Sequence, residues 1–262
     1  MKKKILLFVI IFSAAFSLLR TSYRGELILA ETLKDLGGVP WLYSTMGLIF
    51  SVLAAYILEK EWGRWDKLIQ ASKGELNNLR ELWYWSFYFK NKKDQEKVRN
   101  LITGYLKTIG EEWDKAERGE HSSAVDLTLF GLRKSAAEAI NEGEKNAGIL
   151  RSLFIKLSEQ RELRLFYSAL HIPVSVRRLL TLATSIMISL SLLVGIKSIW
   201  LDYIFTLSIG ILVYSIYLVI DDLNHPFKPG TWHLTPKSYE RLLEELDQHA
   251  IKFGDTENKN ND

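Results

Sequence analysis

The sequence has no cysteine in 262 residues. That excludes a disulfide framework, a thiolate nucleophile, an iron–sulfur cluster and any cysteine-based zinc site. Phosphate-cradling glycine loops, H-E-x-x-H and G-x-S-x-G are missing too, so no constellation of enzymatic residues is visible and none is expected. The five histidines, at positions 121, 171, 225, 233 and 249, are scattered without metal-ligand spacing. A net charge of +3 in a chain of mixed charges says nothing about nucleic acid, but no DNA- or RNA-reading motif occurs and no nucleic-acid partner is expected. The most informative absence is local. Val39–Leu58 (20 residues), Leu179–Ile196 (18) and Tyr203–Ile220 (18) contain no charged side chain. A bilayer core takes ~20 apolar residues as helix, so each run is long enough to span it. The mean hydropathy of -0.01 hides this, because the apolar residues are clustered. An integral membrane protein is the expectation.

A fourth hydrophobic segment opens the chain. Lys2, Lys3 and Lys4 precede a fifteen-residue apolar stretch, Ile5–Leu19. It reads as a first membrane helix or as a secretory signal with Ala15 and Ser17 near its cleavage point. Lys2–Lys4, the Lys60/Arg64/Lys67 group, Arg177/Arg178 and Lys228 flank the four segments on one side. The excess of basic residues facing inward puts that side, and both termini, in the cytosol. The expected organisation is a first membrane helix at 1–20, an external loop at 21–38 and a second membrane helix at 39–58. A cytosolic helical domain follows at 59–174, then membrane helices at 175–197 and 202–221. A cytosolic turn and amphipathic helix occupy 222–253, and a disordered polar tail 254–262. The class is an all-α membrane protein with four transmembrane helices in two hairpins flanking a cytosolic helical region.

Residues 59–174 carry 20 Lys/Arg against 18 Asp/Glu, yet apolar residues recur at helical spacing. Trp65, Leu68, Ser72, Leu76, Leu79 and Trp83 form one stripe; Val98, Ile102, Tyr105, Ile109 and Trp113 form another. Weaker stripes run through Val125, Leu129 and Leu132, and through Leu150, Phe154 and Leu157. Stripes of this kind pack helix on helix. Glu111, Glu112 and Asp114 read as a solvated face around an inward Trp113. After Thr235 and Pro236, which suit a helix start, Tyr239, Leu242, Leu243 and Leu246 share one face.

Two sets of residues are candidate sites. The second membrane segment has a face of small residues, Ser44, Gly47, Ser51 and Ala54/Ala55. Small residues permit close packing of helices in lipid; the same face, with Ile49, Val52 or Tyr56 as constrictions, could line a pore built from several copies. The second set lies at the end of the fourth segment, where Asp221 and Asp222 meet the negative end of a helix. Counted outward from the 197–202 connection, Arg178 lies at the depth of Asp221 and Arg177 at that of Asp222. Salt bridges across the hairpin are one reading; a calcium site built from Asp221, Asp222 and loop carbonyls is the other.

Four stretches, "YSTMGLIFSVLAAYI", "YLKTIGEEW", "RELRLFYSALHIP" and "DDLNHPF", together resemble the bestrophin-like domain family, distant relatives of bestrophin anion channels. The resemblance runs from Tyr43 to Tyr239. It implies two membrane hairpins around a helical cytosolic region. It also implies a homo-pentamer with the second membrane helix around a central pore, and calcium held by an acidic cluster after the fourth helix. Asp221 and Asp222, with the Pro226–Phe227 turn, stand where that cluster belongs, but the acidic run here is two residues long. The phenylalanine row of an animal bestrophin neck is represented by Phe50 alone. The expected function is thus an oligomeric channel for small inorganic ions in the cell membrane, chloride-like anions first. The alternative is a non-conducting membrane sensor or scaffold whose cytosolic helices bind a partner.

Overall fold

The computed structural model describes residues 2–21, 39–142, 147–193 and 198–259, and no strand occurs among them. The helices are α1 (Lys2–Thr21), α2 (Val39–Ser86), α3 (Lys92–Ala116), α4 (Ser123–Asn141), α5 (Ala147–Ala169), α6 (Val174–Leu193), α7 (Ile199–Asn224) and α8 (Lys237–Lys259). The external loop expected at 21–38 falls almost wholly outside the described residues. The tail expected to be disordered from residue 254 instead continues α8 as far as Lys259.

Among the described residues three helices, not the four expected, are long and apolar enough to cross a membrane: the ones spanning Trp41–Ser86, Val174–Leu193 and Ile199–Asn224. The physical reason lies in α1, whose uncharged stretch is only Ile5–Leu19. At 1.5 Å per residue it covers about 22 Å of a hydrocarbon core about 30 Å thick. No helix break occurs at the boundary expected at residue 58: α2 continues through 48 residues. Gly63, the one helix-weakening residue near that boundary, is accommodated within it, and a side chain there would meet nothing within 4 Å.

The chain forms two compact units. The first takes Met1–Gly63, Ile172–His225 and Gly230–Trp232. Its core joins Phe50, Ala54 and Ile57 of α2 to Leu180 and Met187 of α6 and to Val213 and Ile220 of α7. Along α7 lies α1. Phe8 stacks on Tyr214 at 4.6 Å, Phe16 meets Tyr203 edge-on, and the Ser13 and Tyr203 hydroxyls hydrogen-bond at 2.8 Å. Phe12 comes within 3.1 Å of where Gly210 would carry a Cβ, so a small residue is required there.

The second unit takes Arg64–His171, Pro226–Pro229 and His233–Asp262. The expected stripes meet in its core, with Leu79, Ile102, Tyr105, Val125 and Leu157 wholly inaccessible to solvent. Trp113 lies edge-on to Phe227 and Tyr239 and donates its indole N–H to the Leu234 carbonyl. Gly119, at φ +67, supplies the left-handed residue that ends the α3 connection, and a Cβ there would come within 2.9 Å of Ala169.

Charge, not only apolar surface, fills this core. Glu112 is fully buried, so the solvated-face reading of Glu111–Asp114 fails at its second residue. Arg164 donates from Nε to Glu75 at 2.7 Å and from Nη2 to Glu112 at 2.6 Å, while Arg161 makes a two-point contact with Glu112. Tyr105 donates its hydroxyl to Glu75 at 2.6 Å. Arg161 also reaches the half-exposed Asp126 at 2.8 Å, and Arg164 lies 5.5 Å from the Trp113 ring centre. The four innermost charges, Glu75, Glu112, Arg161 and Arg164, sum to zero. Burial alone would raise the Glu112 carboxyl, but the hydrogen bond from Arg161 and the charge of Arg164 outweigh it and hold the group below its ordinary value of 4.5. Burial, and then the Glu75 carboxylate, push the Tyr105 phenol well above its ordinary value of 10.0.

Breaking one member of a buried pair leaves an uncompensated charge, so Arg164→Met should destabilise the protein by about 3–5 kcal/mol in chemical denaturation of the detergent-solubilised chain. The sign of the pH effect follows from the shifts. A depressed carboxyl contributes stability above its unfolded pKa and loses it as pH falls through the folded value; a raised phenol loses its contribution as pH rises through the folded value. The melting temperature should therefore fall below pH 4.5 and again above pH 10, and Glu112→Gln should flatten the acid limb.

Candidate functional site

Helical geometry divides the small-residue face of α2 into two lines. Ser44, Ser51 and Ala55 are spaced seven and four apart and fall on one line; Gly47 and Ala54, seven apart, fall on another about 60° round the helix. The second line belongs to the core of the first unit. Ala54 is buried, and a Cβ on Gly47 would stand 3.5 Å from Met187 Cε. Gly47 is thus half-buried and borders the Phe50–Ile57 face that meets α6 and α7, unlike the other pore candidates. The first line stays outside the protomer. Ser44, Ser51 and Ala55 are exposed, as are Ile49, Val52 and Tyr56, each of the latter three more than half. Ser51 donates its hydroxyl to the Gly47 carbonyl at 2.7 Å, which satisfies the proton within the helix. The result is an uncharged, exposed face, part small and part bulky, with Lys60 over the Tyr56 ring 5.6 Å from its centre.

The acid pair at the end of α7 is arranged differently from the depth count. Asp221 meets Arg177 at 3.8 Å and Lys4 of α1 at 3.7 Å. The residue paired with Asp221 is thus Arg177 rather than Arg178; equal depth does not specify azimuth, and the 100° between successive residues turns Arg178 elsewhere. Among the described residues Asp222 pairs with no arginine. Its Oδ2 accepts from the backbone amides of Thr231 at 2.7 Å and Trp232 at 3.1 Å. The chain thus returns to α7 through the 230–232 turn, and the Trp232 ring lies 4.8 Å from that of Trp62, edge to face. Gly230 is required by this clasp. A Cβ there would be 1.7 Å from Asp222 Oδ1 and 2.6 Å from its Cγ, so a short aspartate could not retreat without releasing the turn. Beside the pair, Asn224 accepts from the Ile172 amide at 2.8 Å.

Those contacts bear on calcium. The ion takes six to eight oxygens, but here Asp221 faces two cations and Asp222 two amides. No group of three His, Cys, Asp or Glu able to hold a metal occurs among the described residues. The arrangement does not fit calcium. It fits an anchor that ties α1, α6, α7 and the 230–232 turn together. The sequence signals for the clasp were Gly230 and the turn-forming Pro226 and Pro229; they show that the chain turns, not which group accepts the amides.

The family profile of the Bestrophin-like domain matches residues 6–238. No curated protein matches the sequence. Among solved structures, the fold is similar to that of a point variant of a bacterial bestrophin homolog from Klebsiella pneumoniae. The TM-score is 0.74 at 11% identity, covering 93% of this chain and 99% of that one. Two more structures of the Klebsiella pneumoniae homolog align at TM-scores of 0.71 and 0.65, with 12% and 11% identity. Both cover 94% of this chain, and 99% and 98% of their own.

Asp222→Ala should lower stability by roughly 1–3 kcal/mol by removing the acceptor of two backbone amides, and Gly230→Ala by a similar amount through overpacking. Because the clash of one is with the side chain removed by the other, the double variant should lose less than the sum, read from melting in detergent. Millimolar calcium should leave the wild-type melting temperature unchanged.

Proposed function

The chain belongs to the Bestrophin-like domain family, and on that footing we propose that it assembles into an oligomeric ion channel, or channel-like pore, of the cytoplasmic membrane. The permeant species are small inorganic ions, chloride-like anions first. The observation that carries this reading is the exposed, uncharged face of α2, with Ser44, Ser51 and Ala55 on one line and Val52, Tyr56 and Ile49 beside it. One copy of a helix cannot enclose a path, so several copies set this face around a common axis, five by analogy with the bestrophins. Small residues leave room for water along the line, and the bulky apolar neighbours suit constriction by dewetting. The basic flanks at Lys2–Lys4, Lys60, Arg177 and Lys228 favour the same cytosolic side for the second unit and both termini.

The alternative, a non-conducting sensor or scaffold, draws on Leu127 and Phe130 of α4, which are 72% and 67% exposed and suit a protein partner. Flux and mass discriminate between the two. Purified protein in liposomes should pass chloride, and its mass in detergent should be that of several protomers. Ser51→Trp should cut flux at least about tenfold while the oligomer persists, whereas a tryptophan at Ala54 should impair folding. A folded assembly that passes no ion under any salt, pH or calcium condition would leave the scaffold reading.

A further inference from the structure

The second unit carries an open groove of about 360 Å³ between the later part of α2 and the start of α8. That is the size of a small-ligand site. Leu76 and the buried Leu242 form its apolar floor. Three cations and one carboxylate stand around it: Lys73, Arg80, Arg241 and Glu245. Arg80 is committed. It donates from Nε and Nη2 to the two Glu245 oxygens at 3.0 and 2.9 Å, and from Nη1 to Asn77 Oδ1 at 3.3 Å. This fork-to-fork pair joins α2 to α8 and cancels both charges.

Lys73 and Arg241 remain, on different helices, and neither makes an ion pair among the described residues. Two like charges lining one groove without an intervening anion repel each other. The other polar lining groups offer protons rather than lone pairs. Asn77 has its carbonyl oxygen engaged by Arg80, which leaves its NH₂ as a donor. Ser238 adds a hydroxyl in the first turn of α8, at the positive end of that helix. A groove whose uncommitted groups are an ammonium, a guanidinium, an amide NH₂ and a hydroxyl suits a ligand rich in acceptors and carrying two negative charges. Phosphate meets that description, and the guanidinium fork matches its oxygens two at a time.

We propose that this groove binds a phosphate-bearing anion, held by Lys73 and Arg241 and oriented by Asn77 and Ser238. The phosphate belongs either to a soluble small molecule or to a lipid headgroup. Full-length protein in detergent is titrated calorimetrically with inorganic pyrophosphate. Binding should be saturable, and Lys73→Gln/Arg241→Gln should weaken it at least about tenfold. Because neither side chain is paired, the double variant should melt at the wild-type temperature without ligand. Arg151→Gln/Lys156→Gln removes the same charge from exposed positions on α5 and should change affinity by less than about twofold. Repeating the titration in phosphatidylcholine nanodiscs with and without phosphatidic acid separates the two sources. Loss of pyrophosphate binding in the phosphatidic acid discs identifies the headgroup, and unchanged binding identifies the soluble ligand. No saturable binding at millimolar pyrophosphate would overturn the proposal, as would equal losses in the two double variants.

Discussion

The second unit depends on the requirement that a charge removed from water meets an opposite charge in good geometry. Glu75 comes from α2, Glu112 from α3, and Arg161 and Arg164 from α5. Arg164 holds the first two together, and Arg161 doubles the hold on Glu112. Apolar stripes can slide against one another at modest cost; a guanidinium that must reach two carboxylates cannot. The cluster therefore fixes the register of three helices as well as their contact. Tyr105 and Trp113 close it from the α3 side, one by a hydrogen bond to Glu75 and the other by presenting its ring to Arg164. Buried ion pairs are poor sources of net stability but severe penalties when broken, which suits a device whose work is register.

The first unit gathers several of its polar contacts at the end of α7. Asp221 and Asp222 sit where the α7 dipole is least favourable to acids, and each has a specific compensation. Lys4 and Arg177 approach one, and two backbone amides approach the other. With those oxygens engaged, the pair acts as a tie among α1, α6, α7 and the following turn. The rest of the unit is largely apolar but buries Glu61 and Asp202 as well, and α2 divides between a face packed on α6 and α7 and a face exposed within the protomer. A pore reading needs such a division: one side of a helix must be anchored firmly enough for the other to be held toward an axis.

Helix content, the three membrane-length segments and the apolar stripes were legible because each depends on local periodicity. The four quoted stretches were legible as a family pattern, and three of them hold residues of the buried or clasping contacts. Glu112 lies in "YLKTIGEEW" and Arg161 and Arg164 in "RELRLFYSALHIP", which meet in the core of the second unit, while Asp222 in "DDLNHPF" closes a turn of the first. The burial of Glu75 had a usable signal, since it stands seven after Leu68 and four before Leu79 on an otherwise inward line. Glu112, three after Ile109 and four before the buried Ala116, had the same one. At both positions helical spacing, not charge, marks the burial.

The sequence alone determined where the chain can enter a membrane and which helix faces are apolar, because hydropathy and the 3.6-residue period act within a single segment. It could not determine partners. Whether Asp221 meets Arg177 or Arg178 depends on azimuth, whether Asp222 binds a side chain or an amide depends on how the turn closes, and whether Gly47 or Ser51 faces outward depends on which side of α2 the neighbouring helices take. Each of these is a relation between segments distant in sequence. Only their packing in three dimensions decides it, because burial changes the energetic cost of every unpaired group at once.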